Sequence, residues 1–215
     1  MKFATVVLLG ILLLAPSTSL NAQAPGSSQV VAAYINENYS PMPPTADGFD
    51  GICLVYYTML GDLDLAAMFS LDANHQPVVD AKHARFIWVS DYKAQYVAEN
   101  EAFSFFLILE GTATIYYKEQ PETRDWKDRS TWGEPVATFV RKTGMFQSPD
   151  GGNAGTFVNT AQLVSSKPVQ IVTAKSSQWP FPRSTFNLKD VIPQGMSCFE
   201  SINGFYEAGS CVSVK

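Results

Sequence analysis

The chain contains few charged side chains for its size. Asp, Glu, Lys and Arg make up 16% of its 215 residues, compared with roughly 25% in a typical soluble domain. Acidic side chains outnumber basic ones by 20 to 15, so the net charge is -5 at pH 7. Without clusters of Lys and Arg the chain lacks the cationic surface that binds phosphate backbones, and we expect no nucleic-acid partner.

Motifs of nucleotide and nucleophile chemistry are also missing. The glycine-rich segment 151–155 lacks the Gly-Lys-Ser/Thr sequence of a phosphate-binding loop. The peptide Gly195-Met196-Ser197-Cys198-Phe199 begins like a nucleophile elbow, but Phe199 stands where that motif has its second glycine. The sequence therefore assigns no reaction, and our leading interpretation is a protein without catalytic activity.

Long apolar runs are absent apart from one at the N-terminus. Lys2 precedes an almost wholly apolar segment over residues 3–14, and small residues follow, which is the pattern of a secretory signal peptide. The apolar run is shorter than the roughly 20 residues that span a bilayer. We predict a signal peptide over residues 1–22, cleaved after Ala22, with cleavage after Ala24 as the alternative. The mature chain is then expected to be secreted or periplasmic, without stable insertion into a membrane.

Cysteine is scarce: the chain has three, Cys53, Cys198 and Cys211. In an oxidising compartment one disulfide is expected, and three pairings are open in principle. We predict a Cys198–Cys211 disulfide because these residues flank Asn203-Gly204, a strong hairpin-turn signal. A bulge near Gly209 would bring them opposite one another. Cys53 lies in an apolar run and is predicted to be a buried thiol, with an intermolecular disulfide as the alternative.

From Ile52 onward, β-forming segments alternate with turn residues, and we treat residues 52–215 as one β domain. The segments are 52–60, 65–71, 85–89, 103–117, 136–141, 156–164, 169–173 and a C-terminal hairpin. Such short, regular spacing predicts an all-β fold. Bends at Gly111 and Gly144 favour a single-domain antiparallel β-barrel over a β-sandwich, our second choice. The architecture is lipocalin-like by analogy alone, because the chain matches no family motif.

Two segments favour short helices. Residues 23–51 form an N-terminal arm, in which Ser27 or Ser28 can cap a helix whose apolar face lies within residues 30–35. Residues 90–102 fit either a strand or a short helix capped by Ser90, and we favour the helix. We therefore expect at most one or two short helices.

Both histidines of the chain belong to a pattern that occurs twice, Asp72-Ala73-Asn74-His75 and Asp80-Ala81-Lys82-His83. Imidazole and carboxylate groups are ligands of zinc, manganese and iron. Asp72, His75, Asp80 and His83 are therefore candidate ligands of one divalent metal, although their spacing matches no standard metal motif. The alternative is a turn over residues 72–76 that exposes His75 at its tip.

An enzyme is the second functional hypothesis. It would be a metal-assisted hydrolase or a barrel isomerase, with His75, His83 and Glu110 as candidate catalytic residues. Glu110 qualifies because it follows an apolar strand, where a carboxylate can act as an acid or base. The alternative for Glu110 is a solvent-facing residue at a strand end.

Tryptophans in polar loops point to the leading hypothesis. Trp126, Trp132 and Trp179 can stack on a sugar face or cover an apolar cavity, although rings at the end of a barrel also seal its core. We predict an exported β domain that binds a small apolar molecule or a glycan through these residues and needs no cofactor. A structural or envelope-interaction protein without a ligand is the third hypothesis.

Overall fold

The structure is a computed structural model that describes residues 29–36, 40–41, 49–100, 103–149, 154–173, 179–203 and 206–214. Within these residues the strands are β1 (Val30–Asn36), β2 (Ser40–Pro41), β3 (Phe49–Leu60), β4 (Phe86–Asn100), β5 (Phe103–Tyr117), β6 (Glu134–Ser148), β7 (Ala154–Ser166), β8 (Val169–Val172), β9 (Arg183–Phe186), β10 (Gly195–Asn203) and β11 (Tyr206–Ser213). One α-helix, α1 (Leu65–Met68), and 3-10 helices over Pro121–Thr123, Arg129–Thr131 and Leu188–Asp190 lie between them. The predicted signal peptide, residues 1–22, lies outside the described residues. Among those that are described, no helix has the length and apolar character of a bilayer span.

Eight of the strands close into an antiparallel barrel. Around the ring the order is β1, β11, β10, β7, β6, β5, β4 and β3, and β3 pairs with β1 to complete it. Strand β2 pairs with β3 as an extra strand, while β8 and β9 form a separate hairpin. The predicted all-β barrel is confirmed, and the β-sandwich is not the architecture.

Alternation along each strand divides interior from exterior side chains. In β10, Cys198 and Glu200 are buried, whereas Phe199 between them is 54% exposed. The register shifts in β6 between Arg141 and Thr143, just before Gly144. A Cβ atom on Gly144 would lie 3.0 Å from the Ile108 Cβ atom, so the missing side chain lets β6 pass close to β5 there.

The two ends of the barrel differ in how their strands are connected. The hairpins β4–β5, β6–β7 and β10–β11 turn at one end, which we call the hairpin end. The connections that carry α1, the 3-10 helices and β8–β9 lie at the opposite end, the loop end. Apolar side chains from these connections join the main core and fill the loop end; they are Met68, Phe69, Trp132, Ile171, Leu188 and Ile192.

Three segments depart from the sequence-based expectations. The helix expected over residues 30–35 is strand β1, because β3 and β11 supply backbone partners on both of its edges. Of the segment 90–102, for which a helix was favoured, the described residues 90–100 are part of β4, which pairs with β3 and β5 in the same way. The strand expected over residues 65–71 begins instead as α1, since Asp64 Oδ1 accepts a hydrogen bond from the Ala67 N–H at 2.9 Å and caps the turn.

The Cys198–Cys211 disulfide is confirmed, with an S–S distance of 2.07 Å. The two residues are direct partners in an uninterrupted register between β10 and β11, so the expected bulge near Gly209 is absent from this pairing. The reason is that Asn203 pairs with Tyr206, which moves the centre of the hairpin one residue beyond the predicted turn. A disulfide is compatible with an exported protein.

Candidate functional site

A layer of buried polar side chains crosses the barrel interior. Each comes from a different strand, and together we call them the interior polar layer: Tyr34, Ser90, Arg141, Asn159 and Glu200. The main apolar core lies on its loop-end side. On its hairpin-end side lies a smaller group, which we call the hairpin-end cluster: Tyr92, Ala94, Ile108 and Phe157. Polar groups are therefore enclosed between two apolar regions, where an unpaired group is costly.

Strand periodicity explains why these side chains point inward. Arg141 lies two residues after Phe139, and both are buried on β6. Glu200 lies two residues after Cys198, whose disulfide is also buried. Neither charged residue is among the site residues predicted from the sequence. The alternation of side chains along a strand could have found them. A charged residue two positions after a buried apolar residue points to the same, interior face.

Glu200 is held by two neighbouring side chains. The Tyr34 hydroxyl donates a hydrogen bond to Glu200 Oε1, and the Asn159 side-chain amide donates to the same oxygen at 2.8 Å. Gly209 leaves room for this arrangement, because a Cβ atom there would lie 2.5 Å from the Tyr34 ring and 2.7 Å from Glu200 Cγ. The carboxylate is thus fixed in position within the layer.

Arg141 is the least satisfied member of the layer. It is only 8% exposed, and its Nη2 donates a hydrogen bond to Ser90 Oγ at 2.9 Å. Its Nε and Nη1 atoms have no hydrogen-bond partner in the protein. The guanidinium carbon lies 5.8 Å from the Tyr92 ring centre and 5.2 Å from that of Phe157. Burial lowers the pKa of Arg141, and the charge of Glu200 opposes part of that shift.

Two further buried atoms nearby lack protein partners, Asn159 Oδ1 and the Tyr57 hydroxyl. Burial is the main cause that raises the pKa of Tyr57, with smaller contributions from Glu200 and Cys53. Folded proteins pair most of their buried polar atoms. Unpaired buried donors and acceptors of this kind mark a place where an ordered water molecule or a ligand can complete the hydrogen bonding.

Cys53 also lies beside the interior polar layer. On β3 it pairs across the strand with buried Ser90, and it takes no part in the disulfide. Its charge, when ionised, acts on both Arg141 and Tyr57. Cys53 is partly buried and not fully buried as predicted, and the alternative of an intermolecular disulfide through it stays a prediction.

The structure brings together one of the two predicted Asp-His pairs. His83 Nδ1 lies 2.6 Å from Asp80 Oδ1, and the same oxygen accepts the His83 backbone N–H at 2.9 Å. Partial burial raises the pKa of Asp80, but the two hydrogen bonds from His83 outweigh it and lower the pKa overall. Within the described part of the chain, no three His, Cys, Asp or Glu side chains form a group able to hold a metal ion.

The other predicted pair, Asp72 and His75, belongs to an exposed turn. Asp72 Oδ1 accepts the backbone N–H groups of Asn74 and Gln76 at 2.8 and 2.9 Å. His75 stands at the tip with a φ of 62°, a backbone conformation that is uncommon outside glycine. Its ring stacks on Trp179, with the centroids 3.7 Å apart.

The three tryptophans occupy different environments at the loop end. Trp132 is 2% exposed and donates from Nε1 to the Asp125 carbonyl at 2.9 Å. Trp126 is half-buried against the main core, with the Arg124 guanidinium 5.4 Å from its ring centre. Trp179 is 56% exposed. The ligand-binding role of these residues stays a prediction.

Glu110 is exposed on β5, directly across from Lys93 on β4. Its surroundings are those of a solvent-facing strand residue. Its catalytic role, like that of His75 and His83, stays a prediction.

A second polar group at the loop end ties the long connections together. Arg124 donates from Nη1 to the Ala84 carbonyl at 2.8 Å, and Arg85 donates from Nη1 to the Ala66 carbonyl at 2.6 Å. Burial lowers the pKa of Arg124 to about 10. Ser70 donates its hydroxyl proton to Glu122. These bonds link the connections that follow β3 and β5.

Comparison of the chain with protein-family models, with curated proteins and with solved structures finds no match. The function must therefore be argued from the barrel and its interior. A barrel fold by itself does not assign a function.

Proposed function

We propose that this protein binds a small, largely apolar molecule inside its β-barrel. The observation that carries the proposal is the set of buried, unpaired polar atoms on Arg141, Asn159 and Tyr57. The Arg141 guanidinium adjoins the Tyr92 and Phe157 rings of the hairpin-end cluster, so one molecule with a polar head and an apolar body satisfies both surroundings. The interior of an eight-stranded barrel is wide enough either to be filled by side chains or to hold one small ligand.

The first test is native mass spectrometry of the protein purified from its own producing cells. A bound ligand appears as a discrete mass added to the folded chain and lost on denaturation. The same preparation, stripped of ligand, is then titrated with an apolar fluorescent probe. Saturable binding of one probe molecule supports the proposal, whereas the absence of both a co-purified mass and probe binding contradicts it.

A pair of matched variants locates the site. Tyr57→Phe removes one buried hydroxyl that lacks a partner, while Trp179→Ala alters an exposed ring at the loop end. Binding inside the barrel is changed by the first variant and unchanged by the second. The opposite result favours the loop-end tryptophans and, with them, a glycan stacked on the outer face of Trp179.

Catalysis is a second candidate function, because His83 and Asp80 form a close pair of the kind that orients an imidazole. The hypothesis is a hydrolase or isomerase, with or without a divalent metal. It is tested by assaying generic ester substrates with the wild type and His83→Ala, each with and without added zinc or manganese. Turnover that disappears in His83→Ala supports it, and turnover equal in both proteins excludes this dyad.

A further inference from the structure

Resting on the proposed function, we infer that the ligand of the barrel is an organic acid whose carboxylate binds Arg141 and whose apolar tail lies along the hairpin-end cluster. The guanidinium has only donors to offer. One of its nitrogens is used by Ser90, a neutral hydroxyl, and two have no protein partner. A ligand that completes this group must therefore supply acceptor oxygens.

Charge narrows the choice of acceptor to a carboxylate. Among the described residues, Arg141 forms no salt bridge, although it is over nine-tenths buried. The nearest anionic influence on it is Glu200, which Tyr34 and Asn159 hold in place by hydrogen bonds. Charge-assisted hydrogen bonds are roughly twice as strong as neutral ones. A carboxylate thus gains more at Arg141 than an alcohol, ester or amide of the same length.

The direction of the tail follows from what surrounds the guanidinium. The Tyr92 and Phe157 rings lie within 5.8 Å of its carbon and belong to the hairpin-end cluster. On the other side the main core is filled as far as the loop end. A Cβ atom on Gly144 would lie 3.2 Å from Nη1, so the missing side chain leaves room for the guanidinium itself. The head therefore lies deep in the barrel and the tail extends towards the hairpin end.

Glu200 sets a limit on the charge of the ligand. Its carboxylate repels a bound anion, so a single negative charge is accommodated more readily than a phosphate or sulfate dianion. The same reasoning makes Glu200 a useful test position. In Glu200→Gln the remaining oxygen can still accept from Tyr34 and Asn159, and the repulsion is removed.

The experiment compares three probes of equal length, dodecanoate, dodecanol and dodecylamine, by calorimetry on ligand-stripped protein. We expect dodecanoate to bind about tenfold more tightly than dodecanol and dodecylamine to bind most weakly. Arg141→Met should abolish the preference for the acid, so that the acid and the alcohol bind with nearly equal affinity. Glu200→Gln should strengthen binding of the acid alone, and these opposite effects distinguish direct charge recognition from loss of the fold.

The outcomes separate this inference from the proposed function. Equal binding of acid and alcohol, unchanged in Arg141→Met, overturns the carboxylate assignment but leaves a barrel that binds apolar molecules. No binding of any probe overturns both. As a test of position, bound dodecanoate should slow the reaction of Cys53 with a small thiol reagent, and an unchanged rate places the acid outside the barrel.

Discussion

The imidazole of His75 lies flat against the indole of Trp179, with ring centroids 3.7 Å apart and planes inclined by 16°. The two residues belong to separate connections at the loop end, and their contact holds these connections together. His75, a predicted metal ligand, and Trp179, a predicted ligand-binding residue, thus contact each other. Each therefore has one ring face occupied by protein.

We expect this stacking to contribute a small, measurable coupling energy. A double-mutant cycle with His75→Ala, Trp179→Ala and the double variant should give about 0.5 kcal/mol, at the low end for aromatic pairs because the site is exposed. The measurement is the free energy of unfolding in urea. Strict additivity of the two substitutions would show that the contact contributes nothing to stability.

The positive φ of His75 predicts a second effect at the same position. His75→Gly should be about 1 kcal/mol more stable than His75→Ala, because glycine adopts φ values near 62° without steric cost. Both variants lose the ring, so the comparison isolates the backbone. Equal stability of the two variants would contradict a strained backbone at this turn.

Acid stability should depend on Asp72. Hydrogen bonds, first from the Gln76 backbone N–H and then from Asn74, lower the pKa of this carboxyl below its ordinary value. A carboxyl with a lowered folded-state pKa stabilises the protein above its unfolded value and loses that contribution as pH falls through the folded value. Asp72→Asn should therefore be less stable at neutral pH, and its stability should fall less than that of the wild type below about pH 4.

The measurement is thermal unfolding across the acid range. Glu110→Gln, which removes one acidic charge from an exposed strand position, serves as the matched control. Parallel acid profiles for wild type and Asp72→Asn would show that the turn does not contribute.

Arg141 should be dispensable for stability. Arg141→Met combined with Glu200→Gln removes two buried donors without partners, keeps similar volume and leaves no buried charge uncompensated, so the free energy of unfolding should stay equal or rise by up to about 2 kcal/mol. Arg141→Ala, the control, leaves a cavity and should lose about 2 kcal/mol. A large loss in the double variant, measured in urea, would mean that the guanidinium serves the fold and not a ligand.

Gly209 should tolerate no side chain. The Cβ atom of Gly209→Ala would press on Tyr34 and Glu200, and overpacking of this kind costs about 2 kcal/mol. Ser210→Ala, at the exposed neighbouring position, should be nearly neutral. A Gly209→Ala protein with wild-type stability would contradict the tight packing around this glycine.

The strands of the barrel were largely predictable, because their alternation and turn residues are local signals. The disulfide was predictable for the same reason, since Cys198 and Cys211 flank one hairpin. Strand β1 was not, because its partners β3 and β11 lie far away in the chain and its seven residues also fit a helical face. Long-range pairing overrode weak local preference there.

The interior polar layer could not be found by motif. Arg141 and Glu200 belong to the same layer only because β6 and β10 lie on either side of β7. The spacing of the two residues along the chain does not encode that arrangement. That both side chains point into the barrel was predictable, since each follows a buried residue by two positions. The order of the strands around the barrel, which brings these inward positions together, could not be predicted from the sequence.

Closure of the ring joins the first and the last strand of the barrel. Strand β1 begins at Val30, and its partner β11 ends at Ser213, so this seam forms only when the chain between those residues has been made. Until then the growing sheet has two unpaired edges, and edges of this kind recruit other chains. Contacts so distant in sequence also make folding slow. The same seam that encloses the interior therefore defines a period of aggregation risk, and a chaperone that shields the edge of β1 during synthesis would lower that risk.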